Sequence, residues 1–213
     1  MFNNVYENKK VLVTGHTGFK GSWLSTWLLK LGAEVVGISK DIPTSPAMFD
    51  VLSLEKKIKH VKADIRDFVE VKTILEVEKP DFVFHLAAQA IVSTSYSNPL
   101  DTVTSNVLGT ANVLESLRVS NQKCTAIIIT SDKAYDNVEQ IWGYKENDAM
   151  GGKDVYSGSK GAAELVIKSY YHSFFKSDDS NVRLSIARAG NVIGGGDWAK
   201  DRIVVDAMIA WSK

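Results

Sequence analysis

The chain has 213 residues, enough for one layered domain with a sizeable core or one domain plus a fragment of another. Lys and Arg number 25 against 25 Asp and Glu, so no net field draws it to nucleic acid or to an anionic membrane. A single cysteine excludes an internal disulfide, and no apolar run approaches the roughly 20 residues of a bilayer span.

The N-terminal MFNNVYENKK lacks the apolar core of a signal peptide, and Cys124 heads an apolar strand as a packed thiol, so the cytoplasm is the expected compartment. VLVTG (11–15) is a short β-branched run ending in glycine. An amphipathic helix follows over 20–31, with Trp23, Leu24, Trp27, Leu28 and Leu31 at helical spacing. AEVVGIS (33–39) reads as a second strand and IKHVKADI (58–65) as a third, separated by the Pro/Ser-containing DIPTSPAMFD. A helix over 67–77 leads to PDFVFHLAA (80–88), a fourth strand. A long helix spans 99–119, CTAIIIT (124–130) is a fifth strand, and a helix over 155–174 precedes VRLSIARAG (182–190), a sixth. A further helix begins near 202. Strands separated by helices imply an α/β domain with a doubly wound parallel sheet, the Rossmann fold, filling residues 1–213.

Three stretches carry chemistry. The first is Gly15-His16-Thr17-Gly18-Phe19-Lys20-Gly21, a GxxGxxG spacing between the first strand and the first helix. Glycines there permit a tight turn and let backbone N–H groups approach a pyrophosphate at the helix N-terminus, which points to a bound dinucleotide. The acidic residue that reads an NAD ribose is expected at the end of the second strand, yet Ser39 stands there, with Asp41 two residues on. Lys40 between them could favour a 2′-phosphate or be an ordinary solvated lysine. Asp64 and Ile65, after the third strand, are placed to meet the adenine, although Asp64 could equally cap the helix near Asp67.

The second stretch is Ser131-Asp132-Lys133, where the apolar fifth strand ends in a hydroxyl, a carboxylate and an ammonium. A surface turn is the plain reading. The third is Tyr156-Ser157-Gly158-Ser159-Lys160, a tyrosine and lysine one helical turn apart. A phenol with an ordinary pKa of about 10 needs a neighbouring cation to act as a base at neutral pH, and Lys160 supplies one. His16 and His85 lack the neighbouring ligand spacing of a metal site, so no metal is expected, and His60 and His172 read as surface or boundary residues.

With these residues in hand, the whole chain resembles the extended short-chain dehydrogenase/reductase superfamily. The resemblance rests on GHTGFKGSWL (15–24), LAAQAIVSTSY (86–96), TSDKAYDN (130–137), YSGSKGAAEL (156–165) and ARAGNVIGGGDWAKDRIV (187–204). Inside the superfamily it is most similar to the dehydratases that act on CDP-glucose in deoxysugar and O-antigen precursor synthesis. It implies an NAD-dependent hydro-lyase in which Tyr156, helped by Lys160 and Ser131, deprotonates the C4 hydroxyl during oxidation. Asp132 would then protonate the leaving C6 hydroxyl while Lys133 removes the C5 proton. Related dehydratases carry glutamate at the position of Lys133. To do this Lys133 must be neutral and Asp132 protonated.

The resemblance also implies that Leu86, Ala87, Ala88 and Gln89 line the cofactor pocket and that Asn106 is a helix-kink residue ordering the site. Gln89, Asn191, Trp198 and Arg202 would face the sugar nucleotide. Arg188 is an alternative phosphate partner or a tether at a strand end. A homodimer through the helices near 99–119 and 155–174 is implied, though their apolar faces could be intramolecular core. A smaller C-terminal domain that grips the nucleotide base is expected beyond these residues, so the 213-residue chain is expected to bind dinucleotide and to turn over CDP-glucose poorly. Ala149 and Val205 stand where the family favours proline, which affects backbone stiffness more than chemistry.

Overall fold

The computed structural model describes residues 1–212. Six strands form one parallel sheet: β1 (Lys10–Thr14), β2 (Glu34–Ser39), β3 (Lys59–Lys62), β4 (Phe82–His85), β5 (Cys124–Ser131) and β6 (Val182–Ala189), in the order β3-β2-β1-β4-β5-β6. Strand order reverses between β1 and β4, and in doubly wound sheets ligands bind in the crevice beyond the carboxyl ends at that point. Register brings Thr14 level with Ile38 and His85, and Ser131 level with Ala189, so the strand tips end on one rim.

Helices cover the sheet unequally. Helices α1 (Phe19–Lys30) and α2 (Met48–Val51) lie over one face, where Val11, Val13, Leu28, Val35 and Phe49 form a core. The other face is covered by α3 (Phe68–Glu78), a second long helical run, and α7 (Val155–Tyr170), around Leu12, Val36, Leu75, Leu114, Ile128 and Ile167. The second run begins with the short helices α4 (Val92–Ser97) and α5 (Pro99–Val103). It passes through a π-turn (Thr104–Leu108) into α6 (Gly109–Ser120), so the single helix expected over 99–119 is interrupted. A last helix, α8 (Ile203–Trp211), follows β6. No helix among the described residues is long and apolar enough to cross a membrane.

Helix α1 departs from the expected apolar stripe. Trp23 and Trp27 are about half exposed, and the face against the sheet is Gly21, Ser22, Ser25 and Leu28. Small residues are needed because the phosphate loop and the helix start almost touch. A Cβ on Gly21 would lie 2.1 Å from the Gly15 carbonyl oxygen and 2.6 Å from the His16 Cα, both backbone atoms that cannot swing aside. Gly21→Ala is therefore expected to destabilise the chain by about 2–4 kcal/mol through overpacking, read as a fall in the urea midpoint with unchanged slope.

Contacts decide the surroundings of two polar boundary residues. The cap of α3 is Asp67, whose Oδ1 accepts from the Glu70 N–H at 3.0 Å, while Asp64 is held by Arg66. His60 is half-buried, as a boundary residue: its Nδ1 lies 2.7 Å from Nε2 of the buried His16, and the Phe49 ring meets His16 edge-on and His60 at a tilt.

Candidate active site

The phosphate loop is shaped by contacts that exclude side chains. Gly15 has φ +73°, and a Cβ there would meet the Ala87 nitrogen at 2.8 Å, so loop β1–α1 and the loop after β4 touch backbone to backbone. Thr14 fixes the second of these loops. Its Oγ1 accepts from the Leu86 and Ala87 N–H groups at 3.2 and 3.1 Å, which leaves its hydroxyl hydrogen for Nδ1 of His85 at 2.7 Å. His85 consequently carries its proton on Nε2 and gives it to Thr110 Oγ1 at 3.1 Å. Full burial pushes the His85 pKa down to about 3, so the ring stays neutral in this network. Burial lowers His16 to about 4 in the same way. Among the described residues no cluster of three or more His, Cys, Asp or Glu could hold a metal ion.

Above these loops runs a cleft of about 700 Å³. Its lining takes in Gly15, Thr17, Gly18, Phe19, Lys20 and Gly21 from the loop, Ser39 and Asp41 from the end of β2, and Asp64 and Ile65 after β3. Leu86, Ala87, Ala88 and Gln89 continue it after β4, followed by Ser131, Tyr156, Lys160, Asn191, Trp198 and Arg202. Asp132, Lys133 and Asn106 do not line it. The first turn of α1 has a glycine N-cap, no acidic residue and no side-chain cap, so its N–H groups are free to meet an anion. Together with the Cβ-excluding approaches at Gly15 and Gly21, this fits the pyrophosphate of a dinucleotide.

Several side chains are already committed. Thr17 Oγ1 donates to the Asp41 carbonyl at 2.7 Å and sits 2.7 Å from Ser39 Oγ, so the Ser39 hydroxyl ties loop to strand. The Gln89 amide is spent on Ile91 and Thr102, and it is the Gln89 backbone that Asn106 holds: Oδ1 accepts from its N–H at 2.8 Å, and Nδ2 donates to its carbonyl at 3.1 Å. Nδ2 of Asn106 also donates to Ser159 Oγ at 2.8 Å. A π-turn widens the helix where a side chain must turn inward, and Asn106 sits within it. Asp64 accepts Arg66 through both oxygens, and that guanidinium holds its carboxyl below the usual range.

At the other end of the cleft, Asp154 caps α7 by accepting from the Ser157 N–H at 2.9 Å, which sets Tyr156 in the first turn. The Lys160 ammonium lies 5.9 Å from the Tyr156 ring centre. Burial, reinforced by Lys20, lowers the Lys160 pKa to about 8. Burial raises the Tyr156 phenol, with the Ser131 hydroxyl and Arg202 pulling the other way. The expected depression of Tyr156 by Lys160 is thus absent in the free chain, because the same burial that hides the phenol also disfavours the ammonium. Lys20 is itself lowered by burial and by Arg202, so these three cations converge on one cleft. Asp132 and Lys133 are exposed on the 3₁₀ turn that ends β5, with Ser131 Oγ donating to Asp132 Oδ1 at 3.0 Å.

The segment 190–202, part of one of the stretches that carry the family resemblance, roofs the cleft. Trp23 Nε1 donates to the Gly195 carbonyl at 2.9 Å, Gly194 packs on the Phe19 ring, and Gly196, at φ +86°, lies so close to Met48 that a Cβ would meet its Cβ at 2.9 Å. Trp23 and Met48 were not foreseen in this role.

The family profile described as GDP-mannose 4,6 dehydratase matches residues 12–185. The chain belongs to the extended short-chain dehydrogenase/reductase family of sugar-nucleotide dehydratases and epimerases. This dehydratase/epimerase chain is 48% identical over 208 residues to the CDP-glucose 4,6-dehydratase of Salmonella typhimurium, covering 96% of itself and 58% of that relative. It is 31% identical over 183 residues to the CDP-paratose 2-epimerase of Salmonella typhi, covering 78% and 54%. The chain therefore spans a little over half the length of these curated relatives. Among solved structures, the Thermus thermophilus UDP-glucose 4-epimerase in complex with NAD matches with TM-score 0.73 and 28% identity over 87% of the chain and 56% of that structure. The Thermotoga maritima UDP-glucose 4-epimerase, at 23% identity and TM-score 0.78 over 92% and 61%, shares the fold.

Proposed function

We propose that this chain is the dinucleotide-binding part of a CDP-glucose 4,6-dehydratase, which converts CDP-glucose to CDP-4-keto-6-deoxyglucose and water. The observation that carries the reading is the tip of β5, where Ser131 borders the Tyr156/Lys160 pair and is followed directly by Asp132 and Lys133. The 48% identity to a CDP-glucose 4,6-dehydratase supports the choice of substrate.

NAD is the cofactor of this reading: it would sit with its pyrophosphate on the start of α1 and its adenine near Asp64 and Ile65. When bound it supplies a hydride acceptor for C4 of the sugar and returns the hydride to C6. Tyr156 takes the proton of the C4 hydroxyl, with Ser131 orienting that hydroxyl and Lys160 favouring the phenolate. The resulting ketone acidifies the C5 hydrogen. Lys133 removes that proton while Asp132 gives one to the C6 hydroxyl, which leaves as water. Both groups are exposed in the free chain, so the bound sugar supplies the desolvation that elimination requires. Lys20 and Arg202 hold phosphate, and Asn191 and Trp198 border the sugar nucleotide. The same reading includes a homodimer, supported by the exposed Leu100, Leu108 and Leu165 on α5, the π-turn and α7.

Incubating the chain with NAD and CDP-glucose and assaying for a 4-keto-6-deoxy sugar tests this. A ketone product, even at low turnover, is the expected result. Protection from unfolding by NAD with no ketone would leave a binding-only protein, and a C4-inverted hexose would make the chain a 4-epimerase.

A further inference from the structure

The mechanism leaves unused a buried ion pair. Glu164 is 3% exposed and its partner Arg188 16%. Arg188 Nε donates to both carboxylate oxygens of Glu164, at 2.8 and 2.9 Å, and Nη2 donates to Oε2 at 2.5 Å. Its Nη1 donates to the Tyr135 hydroxyl at 2.7 Å and to the Glu146 carbonyl at 3.1 Å. The guanidinium also lies 4.6 Å from the centre of the Tyr135 ring. Every nitrogen is engaged inside the protein and Arg188 does not line the cleft, so it is not a phosphate partner.

The residues that this pair reaches matter more than its strength. Glu164 Oε1 also accepts from Thr130 Oγ1 at 2.6 Å. Thr130 directly precedes Ser131, and Tyr135 follows Lys133 by two positions. One carboxylate and one guanidinium therefore grip the chain on both sides of Ser131-Asp132-Lys133. Glu164 follows Lys160 by one helical turn and Tyr156 by two, so all three share one face of α7. The turn is seated on the same helix at Gly161, where a Cβ would lie 3.3 Å from the Ala134 carbonyl and 2.9 Å from that of Gly151.

Resting on the dehydratase reading, we infer that Glu164 and Arg188 are positioning residues that set the elimination groups of the β5 tip in register with the oxidation groups of α7. A tether serving stability alone could cross-link β5, β6 and α7 anywhere along the ladder. This one holds the two residues that bracket the reactive three.

The test uses the NAD-loaded chain and Arg188→Lys, which keeps the charge but loses the fork that spans both carboxylate oxygens and Tyr135. Hydrogen exchange at 131–136 is expected to quicken about tenfold while β1 and β4 keep their protection. On adding CDP-glucose, reduced nicotinamide absorbance relative to 4-keto-6-deoxy product formed is expected to rise about fivefold or more, with KM changed less than about threefold. A purely structural tether would lower both signals together by shrinking the folded fraction. Uniform loss of protection, or an unchanged ratio of reduced nicotinamide to product, overturns the proposal. If the unsubstituted chain makes no ketone, the dehydratase reading fails by itself. The exchange pattern then decides the clamp: local loss supports it, and uniform or absent loss overturns it.

Discussion

Lys160→Met is expected to make the free chain more stable at neutral pH while weakening its hold on NAD. The ammonium is buried on α7, and its pKa falls from 10.5 to about 8, so the fold works against the charged form. Between those values the unfolded chain binds a proton that the folded chain does not, and stability rises with pH across that window. The cost is present in full below about pH 8 and is gone once pH passes 10.5. By the size of the shift it amounts to about 3 kcal/mol at neutral pH, and methionine of similar shape avoids it. Thermal melts of the free chain should show Tm raised by roughly 6–12 °C near neutrality, with the gap closing in alkaline buffer. If the cleft binds NAD as proposed, calorimetric titration should show weaker binding, because Lys160 lines that cleft and its ammonium is lost. A methionine variant less stable than the parent at neutral pH would mean that Lys160 is satisfied by partners and carries no such cost.

Lys133→Met carries the largest expected effect on chemistry. Lys133 lies exposed on the 3₁₀ turn, and methionine keeps most of its length there, so folding and NAD affinity should be unchanged. Loss of a general base typically costs a factor of about 100 to 10,000 in rate. Formation of the 4-keto-6-deoxy product from CDP-glucose should fall by that order, while C4 oxidation, assigned in the proposed mechanism to Tyr156 and Lys160, continues. The ratio of reduced nicotinamide to product should rise sharply. Water loss at the parental rate in this variant would assign the C5 proton to another base.

The alternation of strands and helices was legible because a parallel sheet covered on both faces needs continuous apolar runs, as in Ile127 to Ile129. Boundaries were not. Ala63 and Ile65 extend the apolar run of β3 beyond its last ladder residue, because Ile65 is buried by contact with Gly109 of α6 rather than by strand pairing. Trp23 and Trp27 misled for the opposite reason: α1 must approach the sheet closely, so its small residues face inward and its large ones outward. Most candidate site residues share one cleft because their motifs end strands that the topology aligns. That Arg188 tethers the end of β6 was one of two readings of the sequence, but its carboxylate partner was not legible, since Glu164 lies 24 positions away on another element. The Trp23–Gly195 contact spans 172 positions and has no local signal at all.

The bracket made by Asn106 has a consequence for how this chain tolerates change. One amide joins the Gln89 backbone beside the cleft to Ser159 on α7, between Tyr156 and Lys160. The side chains of Asn106 and Ser159 thus share a hydrogen bond, and substitutions at these two positions are not expected to add. The effect of a replacement at 106 or 159 therefore depends on which residue stands at the other, so this pair makes the outcome of change around the cleft depend on order.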